Sequence, residues 1–389
     1  MRTHPRGSAA LRLGFIAAAL AAGAALPAAG APGDPLGPAF AASDPGGQSP
    51  SVARERNGDF VVAWLQPGSG VLVRRFHADG TPKAPAQVVE PRTPYIALVY
   101  PDVAVDADGG FVVAWTSKDA TPVGPTKDPL VYARRYAADG TALGAKLQVN
   151  EPIDAQIGER EWTFGRPAVA MDDDGDFVVA WEQGRRLKTS LGTGESCDQY
   201  GIGLCASLSG YSIRMRRYTG GGTTAQDVQT VSATGNTVVT LALFQALLGS
   251  TYGSYESYGS VAVAMAPDGR FVVAWDRAGG ALSLLPGVYA RRYGADGTGE
   301  NPRLVAWRKE LPCPPAVAMR PDGAYALAYC RLDGDRQSAL YTRHYPADPR
   351  APAGREARVD EPGGPVRAPG LAMDAAGNSV LGWAVAQPG

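Results

Sequence analysis

Pro101–Trp115 reads PDVAVDADGGFVVAW. Val103 and Val105 alternate along the first run, Asp108-Gly109 interrupts it, and Phe111–Trp115 is apolar and rich in β-branched residues. Two such runs around an Asp-Gly break form an antiparallel hairpin, because glycine accepts the positive φ that these turns need. FVVAW is apolar on both faces, so that strand needs cover on both sides.

The phrase recurs. PSVARERNGDFVVAW ends at Trp64, PAVAMDDDGDFVVAW at Trp181 and VAVAMAPDGRFVVAW at Trp275. Two looser copies, PAVAMRPDGAYALAY and PGLAMDAAGNSVLGW, end at Tyr329 and Trp383. A second phrase follows each of the first five copies, as VLVRRFHADGT, VYARRYAADGT, IRMRRYTGGGT, VYARRYGADGT and LYTRHYPADPR. It supplies a third strand and a second turn, and a short apolar strand such as LGAKLQVN (Leu143–Asn150) closes the unit. The unit is thus a four-stranded antiparallel meander of roughly 50 residues, the length of a propeller blade. One such sheet would expose an apolar face, whereas stacking copies round an axis covers both. The expected fold is all-β, a β-propeller of about six four-stranded blades with the last one incomplete. The repeats fall near 46–90, 101–150, 167–232, 260–306, 315–360 and 369–389. Leu36–Ser43 (LGPAFAAS) resembles a fourth strand with no blade before it, and the last copy has only the first two strands. The N-terminal strand is therefore expected to complete the last blade. A third strand stays unaccounted for, so the second strand meets it directly or the ring is open.

The first residues are a separate module. Arg2, Arg6 and Arg12 precede an alanine-rich apolar run from Leu13 to Leu26, and small residues follow at Ala28-Ala29-Gly30-Ala31. This is the three-part pattern of a secretory signal peptide, assigned to 1–31, with the repeat domain over 32–389. No second long apolar run exists, so no membrane span is expected in the mature chain, which is placed in the periplasm or outside the cell as a monomer. A formal net charge of −1 gives no basic face for nucleic acid. The four cysteines suit an oxidising compartment and form two local pairs, Cys197 with Cys205 and Cys313 with Cys330. For the second pair, a turn centred on Pro321-Asp322 would set the cysteines opposite each other, and one centred on Asp322-Gly323 would offset them by two.

The DGGFVVAW … VYARRYAADGT … LGAKLQVN pattern resembles the tandem repeats of large secreted bacterial proteins that are propeller-like or lie near calcium-binding toxin-type repeats. That resemblance implies an exported propeller and no shared activity. A weaker resemblance, to the calcium-binding blades of integrins, rests on Asp172-Asp173-Asp174-Gly175-Asp176, which lacks the full ligand spacing.

Insertions all fall at the end opposite the tight turns, where a rigid scaffold carries its binding residues. Trp162, Arg185, Arg186, Tyr200, Tyr211, Tyr252 and Tyr255 cluster there and suit a protein or glycan surface. The main expectation is accordingly an exported, non-catalytic propeller whose partner is an extracellular or periplasmic protein or glycan. One alternative is a propeller enzyme acting on carbohydrate, with Glu182 and Asp276 as acid and base because each follows a blade tryptophan at the elaborated mouth. Another is a structural envelope component. The blade tryptophans are expected to pack in the core, and the paired arginines to form ion pairs between blades while their stems pack. Only three histidines exist, His4, His77 and His344, and none has partners for a triad or a zinc site. No cofactor is called for beyond calcium, for which Asp172, Asp174 and Asp176 offer oxygen ligands; an Asp-Gly turn accounts for the same residues without metal.

Overall fold

The structure, a computed structural model, describes residues 39–93, 96–119, 130–151, 160–190, 205–232, 240–241, 260–277, 287–307, 313–332, 338–360 and 366–385. Blade 1 contains β1 (Gln48–Arg54), β2 (Phe60–Gln66), β3 (Gly70–Phe76) and β4 (Gln87–Pro91), hydrogen-bonded in chain order. Blade 2 repeats this with β5 (Ile96–Val105), β6 (Phe111–Asp119), β7 (Leu130–Tyr136) and β8 (Leu147–Gln148). Blade 3 is elaborated: β9 (Arg160–Phe164) precedes β10 (Ala168–Met171), β11 (Phe177–Ser190), β12 (Cys205–Tyr218) and β13 (Thr224–Ser232), and β14 (Thr240–Leu241) follows. There β11 and β12 overrun the blade as a long hairpin, flanked by β9 beside β11 and β14 beside β12.

Blade 4 comprises β15 (Val261–Met265), β16 (Phe271–Arg277), β17 (Gly287–Tyr293) and β18 (Arg303–Trp307). Blade 5 comprises β19 (Ala316–Met319), β20 (Tyr325–Leu332), β21 (Ser338–Tyr345) and β22 (Ala357–Arg358). Blade 6 has two strands, β23 (Val366–Met373) and β24 (Ser379–Val385). The first strand of each blade lies against the first strand of the next, from β1 through β5, β10, β15 and β19 to β23. Successive meanders stacked on their innermost strands make a β-propeller. No helix among the described residues is long and apolar enough to cross a membrane.

Alternation along FVVAW explains the stacking. Phe111, Val113 and Trp115 face back onto Val61 and Ala63 of blade 1, while Val112 and Ala114 face forward onto Phe177, Val179 and Trp181 of blade 3. The same interleaving joins blades 3 and 4, and 4 and 5. Each such aliphatic or Phe side chain taken out of water contributes about 1.5–3 kcal/mol. Trp64, Trp115, Trp181 and Trp275 are buried, so the tryptophans of blades 1 to 4 are core, not a sugar-binding ladder, while Trp383 of blade 6 is 40% exposed. The first aromatic of each second strand also stacks on the last aromatic of the third. Centroids are 4.7 Å apart for Phe111 and Tyr136, and 4.6 Å for Phe271 and Tyr293.

The paired arginines divide their work between neighbours, as alternation along a strand requires. The first of a pair reaches back: Arg291 Nη1 donates to the Val231 carbonyl and Arg343 Nη1 to that of Val305, each at 3.1 Å. The second reaches forward to the turn after the next blade's third strand. Arg75 donates to Ala138 and Asp139, Arg135 to Gly220, Arg217 to Ala295, and Arg292 to Pro346 and Ala347, all through backbone carbonyls. The pairs do link blades as expected, but to carbonyls rather than to carboxylates.

Blade 5 differs from both registers read from the sequence. Ala316 pairs Ala328 and Met319 pairs Tyr325, so the turn holds three residues, Pro321-Asp322-Gly323, with Gly323 at φ +90°. Gly323 donates to the Arg320 carbonyl and Arg320 to that of Ala324, the form of a tight turn closed by a left-handed glycine. The disulfide of Cys313 and Cys330 forms nonetheless, with Cα atoms 5.5 Å apart, because Cys313 precedes β19 and is not held by its register. Of the other pair, Cys197 lies outside the described residues.

At the start of the described chain, Phe40 and Ala42 cover the face of blade 1 formed by Phe60, Val62, Trp64 and Phe76. This is the place that Val89, Val149, Val231 and Val305, at or beside the fourth strands, take against the following blade elsewhere in the ring. Leu36–Pro38 lie outside the described residues.

Candidate functional site

The strand after each blade's closing aromatic, Trp or in blade 5 Tyr329, runs out toward the elaborated end, and the residue there varies. It is Leu65, Thr116, Glu182, Asp276, Cys330 and Ala384 in turn. Glu182 and Asp276 are thus carboxylates at one repeat position in consecutive blades. Both are almost fully enclosed, at 2% and 5% exposure.

Each lies over the entrance to its blade's innermost strand. Asp276 Oδ1 accepts the Ser260 backbone N–H, and the Asp276 N–H donates to the Ser260 carbonyl at 3.2 Å, just before β15. The Gly165 N–H donates to the Glu182 carbonyl at 3.3 Å, just before β10. The Glu182 carboxylate lies so close to Gly165 that a Cβ there would sit 2.5 Å from Oε2. Thr116 of blade 2 fixes the same glycine from the other side, donating through Oγ1 to its carbonyl at 3.2 Å. A lost side chain at residue 165 is what makes room for the acid.

A third carboxylate, Asp102, was not singled out by the sequence reading. It begins the regular part of β5 after a register break, where blade 1 has Ser51 and blade 3 has Ala168. Asp102 Oδ1 accepts the Ser51 hydroxyl at 2.5 Å and Oδ2 accepts the Val169 N–H at 2.8 Å, so one side chain spans three innermost strands. Burial pushes its acid up from the ordinary carboxylate range, opposed by those hydrogen bonds and by Arg166. Arg166 in turn sits over the Tyr100 ring, 5.1 Å from its centroid, and Tyr100 adopts φ +52°. Tyr100, Asp102 and Arg166 thus form one contact group at the start of the innermost strands of blades 2 and 3, while Glu182 and Asp276 bind the entrances of blades 3 and 4 from the second strands β11 and β16. The only signal for Asp102 in the sequence is an acid at a position that other copies fill with Ser, Ala or Gly.

The expected binding residues are placed only in part. Trp162 stands opposite Arg185, Glu161 opposite Arg186 and Tyr211 opposite Gly184 in the extended hairpin. They belong to paired strands rather than to the loops expected there. Tyr200, Tyr252 and Tyr255 lie outside the described residues.

The Asp cluster sits at the opposite, plain end. Asp172 Oδ1 accepts the N–H groups of Asp174 at 3.1 Å and Asp176 at 2.8 Å, and Asp176 Oδ1 accepts that of Gly220 at 2.6 Å. Burial, helped by the neighbouring charges of Asp176 and Asp174, raises Asp172 to about 6. These oxygens are engaged in closing turns. Among the described residues no three His, Cys, Asp or Glu side chains form a set able to hold a metal ion. His77 follows β3, and His344 occupies the forward-arginine position of β21.

No protein-family model matches the chain, and no curated protein matches it. Solved structures do. One is an α-L-arabinofuranosidase from Fusarium graminearum, at 12% identity and TM-score 0.48, with 85% of each chain covered. A protein of unknown function from Dyadobacter fermentans is 14% identical at TM-score 0.49, covering 88% of this chain and 91% of that one. A Hadza microbial sialidase is 14% identical at TM-score 0.47; the match covers 84% of this chain and spans 61% of the sialidase. The propeller description stands on this chain's own strand pairing. The comparisons do correct one expectation: the similar structures with a named activity are enzymes, an arabinofuranosidase and a sialidase, and not non-catalytic binding proteins.

Proposed function

We propose that this protein is an exported enzyme acting on carbohydrate, with Glu182 and Asp276 as its pair of catalytic carboxylates. The observation that carries the reading is their shared repeat position: two enclosed acids on consecutive blades, at the loop-bearing entrance to the innermost strands. Glycosidic bonds are cleaved by two carboxyl groups that flank the bond. One protonates the leaving oxygen, and the other attacks the anomeric carbon or activates a water to do so. Arg166 and Tyr100 at the same entrance would hold the sugar by its hydroxyls and its apolar face. Export rests on the leader pattern of 1–31, and the Cys313–Cys330 disulfide agrees with an oxidising compartment.

The test is a reducing-sugar assay of the purified protein on arabinan and on sialylated glycans, together with aryl glycosides of the corresponding sugars. Glu182→Gln and Asp276→Asn should each lose roughly 10²–10⁴-fold of the rate while melting normally. Absence of release from every probe, or full activity in both variants, overturns the proposal.

A further inference from the structure

In each blade one residue of the innermost strand pairs with Ala63, Ala114, Ala180, Ala274, Ala328 or Gly382 of the second strand. Two residues before it, at the loop-bearing end, stand Ser49, Tyr100, Arg166, Ser260, Pro314 and Ala368 in turn. Blades 1, 4, 5 and 6 thus carry Ser, Ser, Pro and Ala at this position. The two large polar side chains fall on consecutive blades, and they touch: the Arg166 Cζ lies over the Tyr100 ring, 5.1 Å from its centroid. The position belongs to the mouth. Asp276 holds Ser260 of blade 4, and Glu182 holds Gly165, the neighbour of Arg166.

Tyr100 is set there against its backbone preference. It shares a positive φ with Ser49, +52° and +48°, and for a bulky side chain that conformation is a true outlier. Tyr100 is nevertheless 41% exposed, so burial of the ring does not account for the strain. Strain of this kind gathers at ligand clamps. Behind the ring, Asp102 ties the innermost strands together, its Oδ1 taken by the Ser51 hydroxyl and its Oδ2 by the Val169 N–H. No hydrogen bond joins Asp102 to Arg166, which feels only its charge.

Arg166 also differs from the paired arginines in the use of its donors. Arg75, Arg135, Arg217 and Arg292 direct theirs to carbonyls of the next blade. Arg166 is exposed and makes no hydrogen bond or contact ion pair among the described residues. A guanidinium backed by a ring presents its donor edge, and two parallel N–H groups on that edge match the two oxygens of a carboxylate.

We propose that Arg166 and Tyr100 form a receptor for a carboxylate carried by the sugar, which makes the substrate an acidic sugar. The guanidinium forks onto the carboxylate, and the exposed part of the Tyr100 ring meets the apolar face of the sugar. This rests on the carbohydrate reading above and narrows its substrate class.

Binding tests the assignment without turnover. The protein carrying Glu182→Gln is titrated calorimetrically with the methyl glycosides of galacturonic acid and of N-acetylneuraminic acid, with the methyl ester of each, and with methyl arabinofuranoside. At least one acid should bind about ten-fold or more tightly than its ester and than the arabinoside, and more weakly as salt is added. Arg166→Gln should lose that margin, and Arg166→Lys should recover only part of it. Tyr100→Gly should weaken binding of the acid about ten-fold while the melting temperature holds or rises, because glycine accepts the positive φ. Binding of no acid, equal binding of acid and ester, or an unchanged margin in Arg166→Gln overturns the proposal. Release of sugar from neutral substrates alone also overturns it and leaves the enzymatic reading standing. Binding of the acid through Arg166 with no sugar released from any substrate does the reverse.

Discussion

Arg292 of blade 4 donates through Nη2 to the carbonyl of Pro346 in blade 5 at 2.9 Å, and through Nη1 to that of Ala347 at 2.5 Å. One guanidinium thus satisfies two carbonyls of a neighbour's turn, and its central carbon Cζ lies over the Tyr325 ring, 5.0 Å from the centroid. Arg292→Met keeps the stem and removes the donors. It should cost about 1.5–3 kcal/mol, read as a lower urea midpoint with an unchanged slope. Arg292→Lys should recover only part, since an ammonium cannot fork onto two carbonyls.

Gly165→Ala separates position from fold at the candidate site. The new methyl group would sit 2.5 Å from Glu182 Oε2, and the carboxylate end of a flexible side chain can move away. Melting should change little while turnover falls about ten-fold or more, because a displacement near 1 Å is costly to a positioned acid. Equal activity in Gly165→Ala and the parent would show that Glu182 is not where the chemistry happens.

Asp172 gives the molecule a pH signature. Its acid stands at about 6 in the folded chain against an ordinary 3.8, so the folded state holds the proton more tightly than the unfolded one. The sign follows: between those two values stability falls as pH rises, and the protonated form is the favoured one. Asp172→Asn keeps an oxygen to accept the N–H groups of Asp174 and Asp176 and carries no charge. Relative to the parent it should gain stability from pH 4 to pH 7, measured as the difference in urea midpoints.

The Cys313–Cys330 bridge closes a loop with a sequence separation of 17. Reducing it, or replacing both cysteines with serine, should cost about 3 kcal/mol, seen as a lower melting temperature in dithiothreitol.

Blade count, strand order and the facing of FVVAW were legible because period-two alternation and Asp-Gly breaks are local and repeat in phase. The register of blade 5 was not. Pro321-Asp322-Gly323 offers two plausible two-residue turns, and the chain uses all three residues with glycine in the left-handed region. Glu182 and Asp276 could be found because a repeat makes departures from itself visible at a fixed position. Asp102 escaped for the converse reason: its position already varies among Ser, Ala and Gly, and the inter-blade bonds that give it meaning come from Ser51 and Val169, distant in sequence. Trp162, Arg185 and Arg186 were assigned to loops but lie on paired strands β9 and β11, since strands that overrun a blade carry no turn signal to mark where the blade stops.

The forward arginine and the turn it grips have a consequence for how such a chain can change over time. Every blade from the first to the fourth carries a donor for the unit ahead, and the second to the fifth carry a matching acceptor for the unit behind. The contact is head-to-tail, so copying one unit in frame reproduces a working joint on both of its flanks. Lengthening the array demands no simultaneous invention of two complementary surfaces. Selection can then act on the residues beyond the tryptophans, unit by unit, while the joints are inherited ready-made.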